Sequence, residues 1–316
     1  MGISKFLDPK NDVAFRRIFG TERNRDILIH FINDILELKD TNKIKEVNFL
    51  STIQIPEIAS KKQSTVDVLC KDENGVQIIV EMQVSPQSGF EKRAQYYAAK
   101  AYSRQLNKGS GEGARYIDLK AVIFIAISDN IIFKDKIFYK SDHIILDKES
   151  YAHDLQDFSF TFIELPKFKI TDIDLLTNLT EKWCYFFKHA DETSEADLRK
   201  LIGSDWVIEK AYEELNQFNW TEEELLTYEQ EIKRIMDNRA VEDYKLAQTQ
   251  AMIERGKAEG KAEGIQIGEV RGEEQKALAI ATAMLKKDML VEEIIEFTGL
   301  SEEQIIKLKS SSSILR

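Results

Sequence analysis

Between Ser64 and Val84 lie two acids, Asp67 and Glu81, spaced to meet across one β-hairpin. The centre of the stretch, Glu73-Asn74-Gly75, reads as a three-residue turn with glycine in the left-handed position, so paired residue numbers sum to 148. Val66, Val68 and Cys70 then oppose Met82, Val80 and Ile78 on one apolar face. The other face pairs Thr65 with Gln83, Asp67 with Glu81 and Leu69 with Ile79. A two-residue Asn74-Gly75 turn would raise the sum to 149 and set Val68 against Glu81. That slip mixes apolar and polar residues on both faces, so the pattern selects the first register. Opposed residues have Cβ atoms about 5 Å apart. Asp67 and Glu81 would therefore repel unless a cation or a raised pKa relieves them. With Gln83 beside them and no His or Cys nearby on that face, the donors are oxygens, which suits Mg²⁺ or Mn²⁺. A solvated polar strand face on which two acids meet fits the same spacing.

Asp12 is a third carboxylate to consider, although the start of a helix favours an acid through the helix dipole alone. Glu57, on the preceding strand, is a weaker candidate. Downstream, Arg93, Tyr97, Lys100 and Arg104 recur at i, i+4, i+7 and i+11, one helical face able to contact phosphates. Their positions equally fit an amphipathic helix that packs Phe90, Ala94, Ala98 and Ala101 inward. His30, His143, His153 and His189 form no ligand spacing. Cys70 and Cys184 are too few for a disulfide framework or a structural zinc site, so a reducing, cytoplasmic setting is expected.

These residues need elements to position them. Ile27, Leu28, Phe31, Ile32, Ile35 and Leu36 recur with helical period, which predicts one helix over 11–38. Short β-type runs fill 45–84, and a helix is predicted from Phe90 to Leu106. Ala121 to Ile127 is an apolar run of strand length, suited to burial on both faces. Phe158 to Leu165 alternates and stops at Pro166, so residues 1–170 read as α/β with mixed strand directions. An acidic helical region is expected over 171–250, with a capping box at Thr221-Glu222-Glu223-Glu224. Over 251–275, glycine recurs every fourth residue from Gly256 to Gly272, as a small-residue stripe on a helix or a flexible linker. Residues 276–316 read as a small helical hairpin that stops at Gly299 and restarts at Ser301 with Gln304 as box partner.

The net charge of −11 over 316 residues is unevenly spread. Residues 1–150 hold 23 Lys and Arg against 21 Asp and Glu, whereas 151–316 hold 21 against 34. The first part tolerates a polyanionic partner and the second does not. The hairpin at 276–309 has more acids than bases, which favours self-association over DNA reading and makes a homo-oligomer through the C-terminal helices the expectation. No apolar run is long enough to cross a bilayer, no apolar export segment opens the chain, and Phe6 stands where a myristoylation signal has Ser or Thr. No membrane association is expected.

Lys10-Asn-Asp12-Val-Ala-Phe15-Arg-Arg-Ile18-Phe19-Gly20, Asp67-Val-Leu, Glu81-Met-Gln83, and a helix with Arg93, Tyr96, Tyr97 and Tyr102 stand in an order that resembles the PD-(D/E)XK nuclease family transposases, also called recombination-promoting nucleases. The likeness spans roughly residues 5–170 and implies a restriction-endonuclease-like mixed sheet flanked by helices, followed here by an acidic all-helical extension. It further implies Mg²⁺-dependent hydrolysis of DNA phosphodiesters linked to recombination or mobile elements. Carried over by position, Asp67 is the metal-binding Asp, Glu81 the second acid, and Gln83 takes the place usually held by Lys. Arg93 or Lys92 could supply the missing cation. The alternative is a catalytically decayed nuclease core that acts as an oligomeric interaction protein.

Overall fold

The protein's structure, a computed structural model, describes residues 5–54, 64–106, 115–203 and 205–313. Glu57 lies outside them.

Asn11 caps α1 (Asp12–Phe19) by accepting the Val13 N–H. The helix expected over 11–38 is broken here. Gly20 closes α1 on the Arg16 carbonyl, where a Cβ would come within 2.9 Å of that oxygen. Extended Thr21 and a 3₁₀ turn at Glu22–Asn24 then restart the chain as α2 (Arg25–Ile35).

Next come β1 (Val47–Phe49), β2 (Ile53–Gln54), β3 (Ser64–Thr65), β4 (Val68–Asp72) and β5 (Gln77–Gln83). A crossover helix, α3 (Phe90–Arg104), leads to β6 (Val122–Ser128), followed by β7 (Lys140–Ile144) and β8 (Phe158–Glu164). Six strands form one sheet in the order β1-β4-β5-β6-β8-β7, while β2 and β3 pair separately. The β5, β6 and β8 strands run parallel and the other main-sheet pairs antiparallel, giving the expected mixed sheet. Hydrophobic β6 has a parallel neighbour on each side, which explains its continuous apolar run.

Strand alternation splits the core into two layers. Val68, Cys70, Ile78, Val80 and Ile125 face α1 and α2, whereas Leu69, Ile79, Val122 and Phe124 face Phe90, Ala94, Ala98 and Ala101 of α3. The helices after residue 170 join the first layer: α4 (Leu179–His189), α5 (Glu195–Ile202) and α6 (Trp206–Leu215). Trp183, Phe186 and Phe187 pack against Phe15, Phe19 and Phe31 or one another, so one aromatic cluster ties α4 to α1 and α2. The first compact unit accordingly runs from Met1 to Arg239, beyond the α/β stretch that the strand pattern marks.

The second unit is Ala240–Arg316. The long α7 (Glu222–Leu285) begins at the expected box, in which Thr221 and Glu224 bond each other's backbone N–H. The Gly256 to Gly272 repeat is helical, and apart from the adjoining turns of its own backbone nothing among the described residues comes within 4 Å of where each Cβ would stand. The end of α7 packs with α8 (Val291–Thr298) and α9 (Glu302–Ser313) around Ala281, Ile294, Leu300 and Ile305. Gly299 is left-handed at φ 68°, and Ser301 and Gln304 form the expected box. Among the described residues no helix is long and apolar enough to cross a membrane.

Candidate active site

The hairpin takes the register set by its turn. Val68 pairs Val80, Leu69 pairs Ile79 and Cys70 pairs Ile78, and Gly75 adopts φ 85° at the Glu73-Asn74-Gly75 turn. Beyond Val68 the ladder ends, because β3 leaves to pair with β2 and the Val66 N–H bonds Thr52. This bend puts Val66 in the α3 layer with Leu69 and Ile79, where simple alternation would have set it beside Val68. Thr65 pairs Ile53, and its expected pairing with Gln83 does not form.

The bend turns Asp67 onto Glu81. The backbone N–H of Asp67 donates to Glu81 Oε2 at 3.1 Å, and the Met82 N–H donates to Asp67 Oδ2 at 2.9 Å. Each acid is thus pinned through one oxygen. The second oxygen of each meets an arginine: Arg16 Nη2 lies 3.1 Å from Asp67 Oδ1, and Arg93 Nη2 lies 3.3 Å from Glu81 Oε1. Arg93 also donates to Gln83 Oε1 and Gln87, while the Gln83 amide N–H donates to the Ser85 carbonyl. Asp67 and Glu81 are only 9% and 5% exposed. Burial, and then the charge of Asp67, push the Glu81 carboxyl up to about 8.

A cleft of about 310 Å³ opens over this pair. Across it stand Asp12 and Arg16 of α1 and Glu231, Arg234 and Asn238 of α7. Burial, helped by the charges of Asp67 and Glu231, raises Asp12 to about 6, and Arg234 sits 3.6 Å from its carboxylate. Arg17 anchors α1 by bonding Glu214 and Glu224 and stacking over Trp220 at 4.6 Å. The cleft therefore has three sources: the hairpin, the first helix, and the start of the long helix.

The structure gathers Asp12, Asp67, Glu81, Gln83 and Arg93 around one cleft. It does not gather the four residues on α3. Tyr97 is buried in the layer with Phe90 and Ala98, under the guanidinium of Arg93, while Lys100 and Arg104 are half-buried further along the helix. Arg16, Glu231, Arg234 and Asn238 escaped the sequence reading. Arg16 had a signal: it stands four residues after Asp12 and so shares its helical face. The α7 residues had none, since no local spacing links them to the hairpin.

Two buried carboxyl groups with oxygen donors fit a hard divalent cation, whose charge would displace the proton that Glu81 otherwise holds. Among the described residues no three of His, Cys, Asp and Glu stand close enough to hold a metal ion. Mg²⁺ needs fewer protein ligands, because it is commonly held by one or two carboxylates together with waters and substrate phosphate. Asp67 and Glu81 meet that minimum, and Asp12 acts on them through its charge.

No curated protein and no solved structure matches this sequence. The family of PD-(D/E)XK nuclease family transposases does match, over residues 9–245. Because that match takes in α1, the acid-bearing hairpin, the mixed sheet and the start of α7, the chain belongs to the PD-(D/E)XK nuclease family transposases.

Proposed function

We propose that this protein is a Mg²⁺-dependent DNA endonuclease, with Mn²⁺ as a substitute ion, serving DNA recombination or mobile-element activity. Family membership supports the reaction class. The observation that carries the reading is the Asp67 and Glu81 pair, each held by a backbone N–H on one oxygen and lining the cleft. When bound, the ion would polarise the phosphate and lower the pKa of a water. The protein's own residues set the stage for that. Asp67 and Glu81 supply two anionic oxygens, the N–H groups of Asp67 and Met82 fix their orientation, and Arg93 keeps Gln83 and Glu81 together. In hydrolysis the water oxygen bonds phosphorus as the bond from phosphorus to the leaving oxygen breaks. One water proton ends on that oxygen and the other is released. On α3, Lys100 and Arg104 are proposed as DNA phosphate contacts.

The test is nicking of supercoiled plasmid with Mg²⁺ varied. Wild type should cut, and Asp67→Ala and Glu81→Ala should each lose at least about 10²-fold, the scale on which removal of transition-state stabilisation is felt. Undiminished cutting by Asp67→Ala would sink the site assignment.

A second reading, a decayed nuclease core acting as an oligomeric interaction protein, draws support from Gln83 in the lysine position and from exposed apolar side chains on α7, among them Val241, Tyr244, Met252 and Val270. Protein that shows no Mn²⁺ binding by calorimetry, does not nick DNA, and sediments as an oligomer only when residues 240–316 are present would favour it.

A further inference from the structure

Resting on the nuclease reading, a second question is which side chain meets the negative charge of the phosphate. Three arginines line the cleft, and their surroundings separate them. Arg93 is committed. Its Nη groups bond Gln83, Gln87 and Glu81, its Nε is buried without an acceptor among the described residues, and its guanidinium lies over the rings of Phe90 and Tyr97 at 4.8 and 5.8 Å. Arg234 is shared between Glu231 and Asp12. Arg16 is less enclosed than Arg93 and less shared than Arg234, itself 60% exposed: its side chain is 50% exposed and, among the described residues, makes one ion pair, to Asp67 Oδ1. Its backbone is fixed, because α1 is bolted through neighbouring Arg17 to Glu214, Glu224 and the face of Trp220.

We propose that Arg16 is the phosphate-binding cation of this site, filling from the first helix the position that Gln83 leaves neutral on the strand. Asp67 Oδ1 is the oxygen that both Arg16 and a divalent cation need. Arg16 therefore guards the acid while the site is empty and is released toward the phosphate when the site is loaded. Its planar fork can then give two N–H bonds to phosphoryl oxygens, which a point charge on a strand lysine cannot match. Arg93 becomes a positioning residue that holds Gln83 and Glu81.

The assignment makes two signs move in opposite directions. Arg16→Gln should cut plasmid at least about 10²-fold more slowly, mainly in kcat. In calorimetry without DNA it should bind Mn²⁺ more tightly, by about fivefold, since a half-exposed ion pair no longer competes for Asp67. Arg16→Lys, which keeps the charge, should recover part of the cutting, and matched thermal unfolding would show that both variants fold. Should Arg16→Gln unfold, Arg16→Lys carries the comparison, with slower cutting than wild type expected. Wild-type cutting rates in Arg16→Gln, or in Arg16→Lys if it alone folds, overturn the proposal. Slower cutting with weaker Mn²⁺ binding also overturns it, because Arg16 would then merely orient Asp67. A wild-type protein that neither binds Mn²⁺ nor cuts removes the nuclease reading itself, a different failure.

Discussion

Cutting the chain at residue 170, where the strand pattern ends, should abolish folding, whereas a chain ending at Arg239 should fold. The loss can be worked from the core. Between residues 171 and 239, Trp183, Phe186, Phe187, Leu201, Val207, Ile208, Tyr212, Leu215 and Trp220 are all buried. Burying a large apolar side chain is worth about 1.5–3 kcal/mol. Even if only half of that burial is against residues 1–170, the loss is about 7–14 kcal/mol, comparable with the whole stability of a typical domain at about 5–15 kcal/mol. Phe15, Phe19 and Phe31 would also lose their aromatic cover and face water. The assay is urea unfolding followed by near-ultraviolet circular dichroism on residues 1–170, 1–239 and the full chain. Cooperative unfolding of the 1–170 fragment, with a midpoint near that of the full chain, would refute the claim that these helices complete the core.

Metal-free stability should fall as pH rises from about 4 to about 8. Asp12 and Glu81 have folded-state pKa values of about 6 and about 8, above their ordinary 3.8 and 4.5, so the folded chain holds protons that the unfolded chain releases. Glu81→Gln should accordingly raise the thermal midpoint more at pH 8 than at pH 5, and an equal gain at both would count against the assigned shift. Lys167→Met should destabilise by about 3–5 kcal/mol in urea unfolding, because it strips the cation from buried Glu164. That carboxylate lies 2.7 Å from Lys167 Nζ and also accepts the Ile132 and Phe133 N–H groups, so Glu164→Gln in the same chain should restore part of the loss. Gly75→Ala should cost about 1 kcal/mol, since alanine must adopt the left-handed φ of 85° with its Cβ 3.3 Å from Lys120. An unchanged unfolding midpoint would argue against the turn geometry.

Local signals were legible wherever one element could be judged alone. The alternation around Val68 and Val80, with glycine at position 75, set the hairpin register from Val68 to Lys71, and Asp67 meets Glu81 just beyond it, where the chain bends out of the ladder. The Gly20-Thr21 break was also readable, as a helix stop followed by an N-cap residue, but the strong apolar period downstream obscured it. The placement of Val66 was not readable: its layer depends on β3 leaving the hairpin for β2, a competition between partners that a single strand's pattern does not encode.

The sequence by itself determined the chemistry on offer: two carboxylates on neighbouring strands of one hairpin, a glutamine beside them, and a basic helix after them. It did so because side-chain period and turn geometry act over a few residues. The tertiary structure alone decided the company those acids keep. Arg16 reaches Asp67 across 51 positions of sequence, and Arg234 reaches Asp12 across 222, through packing of α1 against the sheet and α7 against α1. Such contacts arise from burial of apolar faces that are interchangeable in pattern, so only the folded core specifies which charged side chain comes to rest beside which.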